Sequence, residues 1–171
     1  RKLDWTRESP EKVLEECASL IAGVAADHHV TIKIASPAND VPLMRCDKTA
    51  LKQALLNLLT NAVKYNVANG SVTLSCATAG EQLRFTVTDT GRGIPPARQS
   101  ELFKPFSRLG MEGCGPSGTG IGLNITQKLV ALMDGTVGFE SVEGVGSKFW
   151  VALPMHMTPE PPEPPDTPET D

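Results

Sequence analysis

Two asparagines one helical turn apart, followed by a lysine, are the first residues whose types and spacing suggest chemistry. Along Leu51-Lys52-Gln53-Ala54-Leu55-Leu56-Asn57-Leu58-Leu59-Thr60-Asn61-Ala62-Val63-Lys64-Tyr65, Leu51, Leu55, Leu58 and Ala62 form an apolar stripe, and Asn57, Asn61 and Lys64 form a polar one. Asn is a poor helix former, and a merely solvated face more usually carries Glu, Lys or Arg. The polar stripe fits either a solvated back face or two amide oxygens holding a hard cation, with the lysine beside its phosphates. Asp89 continues the parity of Leu83, Phe85 and Val87, so it is expected to point into an apolar face at the end of its strand. A carboxylate there is costly unless partnered. It fits either a structural acid bonded to a turn or an acceptor for a ligand's amino group, such as that of adenine. In the second case Gly91 and Gly93 let the backbone approach a flat ring. Gly118-Thr119-Gly120-Ile121-Gly122-Leu123 opens into a helical pattern, where bare amides at the positive end of a helix dipole suit phosphate.

The elements that must position these residues follow from periodicity. Val13, Leu14, Cys17, Leu20, Ile21 and Val24 predict a helix from Pro10 to about Asp27. Two short strands are expected next, Val30-Ile32-Ile34 and Val41 to Cys46, joined by a turn at Ser36-Pro37-Ala38-Asn39-Asp40. Asp47 caps the asparagine-bearing helix, and Asn69-Gly70 turns the chain into two alternating strands, Val72-Leu74-Cys76 and Leu83-Phe85-Val87. Periodicity vanishes from Thr90 to Gly118, a length that suits a functional lid. Helical spacing resumes from Thr119 through Ile121, Ile125, Leu129 and Leu132, and strands around Val137-Phe139 and Phe149-Val151-Leu153 follow. This order predicts an α+β two-layer sandwich, with three main helices on one face of a mixed, mostly antiparallel sheet of about five or more strands. The glycine run follows a long loop rather than an early strand, and there is no G-x-x-x-x-G-K-[ST], so a dinucleotide fold and a P-loop are both excluded.

At 171 residues the chain suits one domain, and with 40% apolar and 21% charged residues it is ordinary for a globular protein. The net charge of −4 argues against a nucleic-acid binder with a basic face. Glu160, Glu163, Asp166, Glu169 and Asp171 account for that charge, leaving the rest close to neutral. They alternate with prolines, so residues 1–157 are read as the domain and 158–171 as a flexible tail or linker. No apolar run spans a bilayer, and no direct membrane contact is expected of this piece. Its start, Arg1-Lys2-Leu3-Asp4-Trp5, has no initiator Met and reads as cut from a longer chain. Cys17, Cys46, Cys76 and Cys114 show no zinc or redox spacing and are expected to be buried thiols.

Together these motifs resemble the histidine-kinase ATPase family, whose Bergerat fold is shared with type II topoisomerases, mismatch-repair proteins and the ninety-kilodalton heat-shock chaperones. Asn57 to Tyr65 is similar to the family's asparagine box, Asp89-Thr90-Gly91-Arg92-Gly93-Ile94 to its first glycine box and Gly118 to Leu123 to its second. Leu102-Phe103-Lys104-Pro105-Phe106-Ser107-Arg108-Leu109-Gly110 resembles the phenylalanine box, which favours kinases over the chaperones and topoisomerases. Gly144-Val145-Gly146-Ser147-Lys148-Phe149 resembles the kinases' closing strand.

The resemblance implies a site for ATP and Mg²⁺. Asn61, with Asn57, would bind the metal, Lys64 and Arg108 would meet phosphate, Tyr65 would lie by the nucleotide and Asp89 would accept from adenine. Gly91, Gly93, Ile94, Gly118, Gly120, Gly122 and Leu123 would shape the pocket and its lid, at about residues 90–118. Phe103 and Phe106 would anchor that lid, with Thr119 and Ser147 near the phosphates. The acceptor histidine would lie on a separate dimerisation domain. His28, His29 and His156 lack its context, so the piece is expected to bind ATP without phosphorylating itself. Implied partners are that domain and a response-regulator receiver, in a cytoplasmic setting with a parent open to membrane anchoring. A serine kinase of the anti-sigma type and a non-catalytic ATP-sensing module share the fold and stand as alternatives.

Overall fold

The computed structural model describes residues 3–37, 41–103 and 123–155. Phe106, Arg108, Cys114, Gly118, Thr119, Gly120, Gly122, His156 and the proline-acid tail lie outside the described residues.

Helix α1 (Pro10–Asp27) starts where the Ser9 hydroxyl accepts from the Lys12 amide and proline occupies the first turn. It buries Val13, Leu14, Cys17, Ile21 and Ala25, whereas Leu20 and Val24, expected in the stripe, are exposed. Helix α2 (Lys48–Lys64) begins at Asp47, whose Oδ1 accepts from the Ala50 amide at 3.0 Å. Its Leu51, Ala54, Leu55, Leu58, Leu59 and Ala62 form the centre of the core. Helix α3 (Leu123–Ala131) packs on α2 through Leu123, Thr126, Leu129 and Val130. Ile125 and Leu132, which carried the expected stripe, are about half exposed at 51% and 46%. Two apolar rows overlap on this helix, and packing against α2 selects the row that spacing alone leaves open.

The main sheet has five strands. In spatial order they are β2 (Thr31–Ile34), β4 (Ser71–Ala79), β5 (Gln82–Asp89), β7 (Gly146–Pro154) and β6 (Thr136–Val142). β2 runs parallel to β4 and every other neighbouring pair is antiparallel, giving the mixed, mostly antiparallel sheet expected. Val72, Leu74 and Cys76, Leu83, Phe85 and Val87, and Phe149, Val151 and Leu153 line one buried face beneath the helices. The other face carries half-buried Thr86 and Trp150, with the Arg84 guanidinium 4.7 Å from the Trp150 ring. Cys17, Cys46 and Cys76 are free and buried, and burial pushes their thiols up to about 11, 12 and 11, too high for a nucleophile at neutral pH.

Two expectations need correction. β2 does not form a hairpin with the strand after it, because β3 (Met44–Asp47) pairs antiparallel with β1 (Trp5–Glu8) in a separate two-stranded sheet. β1 is mostly exposed and so lacks the alternation that marks a strand in sequence. The aperiodic stretch after Thr90 is also not wholly irregular, since Pro96–Glu101 forms a short 3-10 helix with Ile94 and Leu102 buried on either side.

Candidate functional site

The polar stripe of α2 ends where the chain leaves the helix at Tyr65. Asn57 and Asn61 are half-buried and Lys64 is exposed, so the apolar stripe faces the core while the amides lie at its edge. Asn57 Nδ2 donates to the hydroxyl of Thr126 on α3 at 3.2 Å. Thr126 is fully buried and was not marked by the sequence, where it sits unremarked between Leu123 and Leu129.

Asp89 ends β5, half-buried as its parity requires. Its Oδ1 accepts from the amides of Gly91 at 2.8 Å and Ser147 at 3.2 Å, so one oxygen is held by backbone and Oδ2 accepts from no described residue. Burial raises its carboxyl above the ordinary range, and the two N–H donors oppose that rise. Ser147 therefore sits at the Asp89 end of the site, where its hydroxyl also pairs with Ser141 Oγ at 2.8 Å.

Gly91 joins the acid to the asparagine helix. A Cβ at Gly91 would come within 2.7 Å of the Tyr65 carbonyl oxygen and 3.0 Å of Asp89 Oδ1, so only glycine lets the turn seat against the end of α2. The Arg92 guanidinium lies 6.0 Å from the Tyr65 ring centroid. The loop after α2 is tied to the same turn: Thr90 Oγ1 accepts from the Ser71 amide at 2.9 Å and donates to Asn66 Oδ1 at 3.3 Å. Asn66 and Thr90, likewise unmarked in the sequence, thus hold the two halves of the site together.

Beyond Gly91 the chain is fastened to the β6–β7 hairpin. Gly93 has φ +70 and no room for a side chain against the Val142 carbonyl, and the Ile94 amide donates to Ser141 Oγ at 2.7 Å. Gln99 Nε2 donates to the carbonyls of Ile94 at 3.0 Å and Ser141 at 3.3 Å. Phe103 packs 6.1 Å from Phe139, which in turn lies 5.9 Å from Phe149. The beginning of the segment expected to be a lid is therefore fixed to the sheet, and Phe103 belongs to an aromatic cluster at its margin. Leu123 is fully buried at the start of α3.

Among the described residues no group of three or more His, Cys, Asp or Glu side chains could hold a metal by itself. Two amide oxygens fit instead a hard cation that arrives with most of its oxygen ligands, as Mg²⁺ does with phosphates and water.

A helix-covered mixed sheet with an acid at a strand end, set against an amide-bearing helix, defines an α+β nucleotide-binding domain. Residues 46–157 match the family of histidine kinase-, DNA gyrase B- and HSP90-like ATPases. The chain belongs to this family and is a histidine-kinase ATP-binding domain of the two-component type. It is 42% identical over 124 residues to the circadian input-output histidine kinase CikA of Synechococcus elongatus, covering 72% of this chain and 16% of that protein. It is 39% identical over 120 residues to the sensor histidine kinase RcsC of Escherichia coli, covering 68% of this chain and 12% of that protein. The chain thus spans a small part of these relatives. A crystal structure of full-length ShkA in complex with AMPPNP superposes with a TM-score of 0.79 at 31% identity, covering 91% of this chain and 32% of that one. The catalytic domain of the histidine kinase ThkA, at 23% identity and a TM-score of 0.76, shares the fold over 90% of this chain and 97% of its own. No helix among the described residues is long and apolar enough to cross a membrane.

Proposed function

We propose that this domain binds Mg²⁺-ATP and presents its γ-phosphate to a histidine on a separate dimerisation domain, from which a response-regulator receiver takes it. Asp89 accepts from the adenine amino group, and Asn61 with Asn57 ligates the metal. Lys64 meets phosphate oxygens at the end of α2, as Arg108 does from beyond the described residues. Tyr65, Gly91, Gly93 and Ile94 line the base end. Gly118, Thr119, Gly120 and Gly122, also beyond the described residues, supply amides to the phosphates. Phosphoryl transfer needs positioning and charge neutralisation more than covalent participation by the protein, and these groups supply both. ATP places the reaction on the cytoplasmic side of any membrane to which the parent is attached.

The observation that carries this reading is the seat of Gly91, which touches the Tyr65 carbonyl while its amide bonds to Asp89. It brings the acid to the asparagine helix. Calorimetry with Mg²⁺-ATP tests the site: wild type binds, Asn61→Ala loses detectable binding and Asp89→Asn binds about 10–100-fold more weakly, as expected for loss of a charged acceptor. Mixing the domain with the dimerisation domain of its parent and labelled ATP tests the reaction. Acid-labile phosphohistidine is expected; acid-stable phosphoprotein would instead identify a serine kinase. ATP binding with no phosphoprotein would identify an ATP sensor.

A further inference from the structure

We propose that Thr126 is a positioning residue for the metal side of the site, holding the nitrogen of the Asn57 side chain so that its oxygen faces the cation. The inference rests on the reading of Asn57 as a ligand beside Asn61. Three polar side chains among the described residues are buried, namely Asp47, Thr126 and Ser147. Asp47 caps α2 and Ser147 pairs with Ser141, so both have local partners. Thr126 is different. It lies in the apolar row of α3 with Leu123, Leu129 and Val130, where valine would have the same shape without a hydroxyl to satisfy. Its hydroxyl meets Asn57 Nδ2 across the helix interface.

The chemistry of the amide gives that bond a direction. The two ends of an asparagine side chain are nearly the same size, so an unheld one can present either. A hard cation accepts only the oxygen. The proton of a helical threonine hydroxyl ordinarily goes to a carbonyl one turn back, leaving its lone pairs for an amide N–H. With Nδ2 engaged in this way, Oδ1 is the end left for a ligand. α3 follows directly on the Gly118–Leu123 run, so one hydroxyl ties the helix after the phosphate-binding glycines to the helix that bears the metal-binding amides.

ATP binding measured by calorimetry across a Mg²⁺ series, including EDTA, tests this on wild type, Thr126→Val, Thr126→Ser and Asn57→Ala. Thr126→Val is expected to bind about 10-fold or more weakly in Mg²⁺, the scale of losing an outer-shell partner of a metal ligand, and like wild type in EDTA. Thr126→Ser, which keeps the hydroxyl, is expected to restore Mg²⁺-dependent binding. Three results would overturn the proposal: wild-type affinity of Thr126→Val in Mg²⁺, an equal loss with and without Mg²⁺, or no rescue by serine. If Asn57→Ala loses Mg²⁺-dependent affinity while Thr126→Val does not, the positioning role fails and the site stands. If Asn57→Ala binds Mg²⁺-ATP like wild type, the assignment of Asn57 as a ligand fails, and the role of Thr126 with it. Should the valine chain not fold, Thr126→Ala against Thr126→Ser makes the same comparison.

Discussion

Asp89 is held in a compromise between its surroundings and its task. Burial disfavours the carboxylate, while the amides of Gly91 and Ser147 favour it, and the net effect is a carboxyl raised above its ordinary 3.8. A raised acid is protonated more readily in the folded than in the unfolded chain. Its stabilising contribution is therefore present at low pH and is lost as pH rises through the folded pKa. Binding runs in the opposite sense, because only the carboxylate accepts freely from an adenine amino group. ATP affinity is thus expected to weaken on acidification at a pH above the ordinary carboxylate range, and Asp89→Asn is expected to remove that dependence. Calorimetry across pH checks both. Asp89→Asn keeps an oxygen for the two amides and removes a buried charge, so the ligand-free variant is expected to be as stable as wild type or more so in urea titration. The parity of β5 placed this acid from sequence. The backbone partner on β7, 58 residues away, could not be read there.

At the scale of elements, the boundary between β3 and α2 joins the small sheet to the core. Asp47 uses Oδ1 to cap α2 and Oδ2 to accept from the Asp4 amide at 2.9 Å, so one buried carboxylate fastens the helix and the chain leading into β1. Losing a helix cap costs about 0.5–2 kcal/mol, and a second backbone partner is released here. Asp47→Ala is expected to lower stability by about 2–3 kcal/mol in urea at unchanged m value, with Asp47→Asn less affected. The cap was legible because Asp before a helical pattern has a local job. The Asp4 contact was not, since nothing in an exposed Trp-Thr-Arg-Glu stretch announces a partner more than forty positions on.

For the whole molecule, site and core share their supports. α2 gives its leucines to the centre of the core and its asparagines to the site, so nucleotide binding and global stability are linked. Mg²⁺-ATP at about 100 times its Kd is expected to add about 2.7 kcal/mol and raise the melting temperature by roughly 5–10 °C. Differential scanning calorimetry should show that rise in wild type and none in Asn61→Ala. A rise of equal size in Asn61→Ala would remove Asn61 from the binding site.

Sequence by itself determined what depends on local periodicity and on residue chemistry. The α1 and α2 segments, the long strands, the amide stripe, the inward acid and the glycines all have signals within a few residues of themselves. Only the tertiary structure decided which row of α3 faces the core, that β1 pairs with β3, and that Thr126, Asn66, Thr90 and Ser141 brace the site. Those outcomes are pairings between residues distant along the chain, and a hydroxyl or an exposed strand carries no mark of its partner until folding brings the two together.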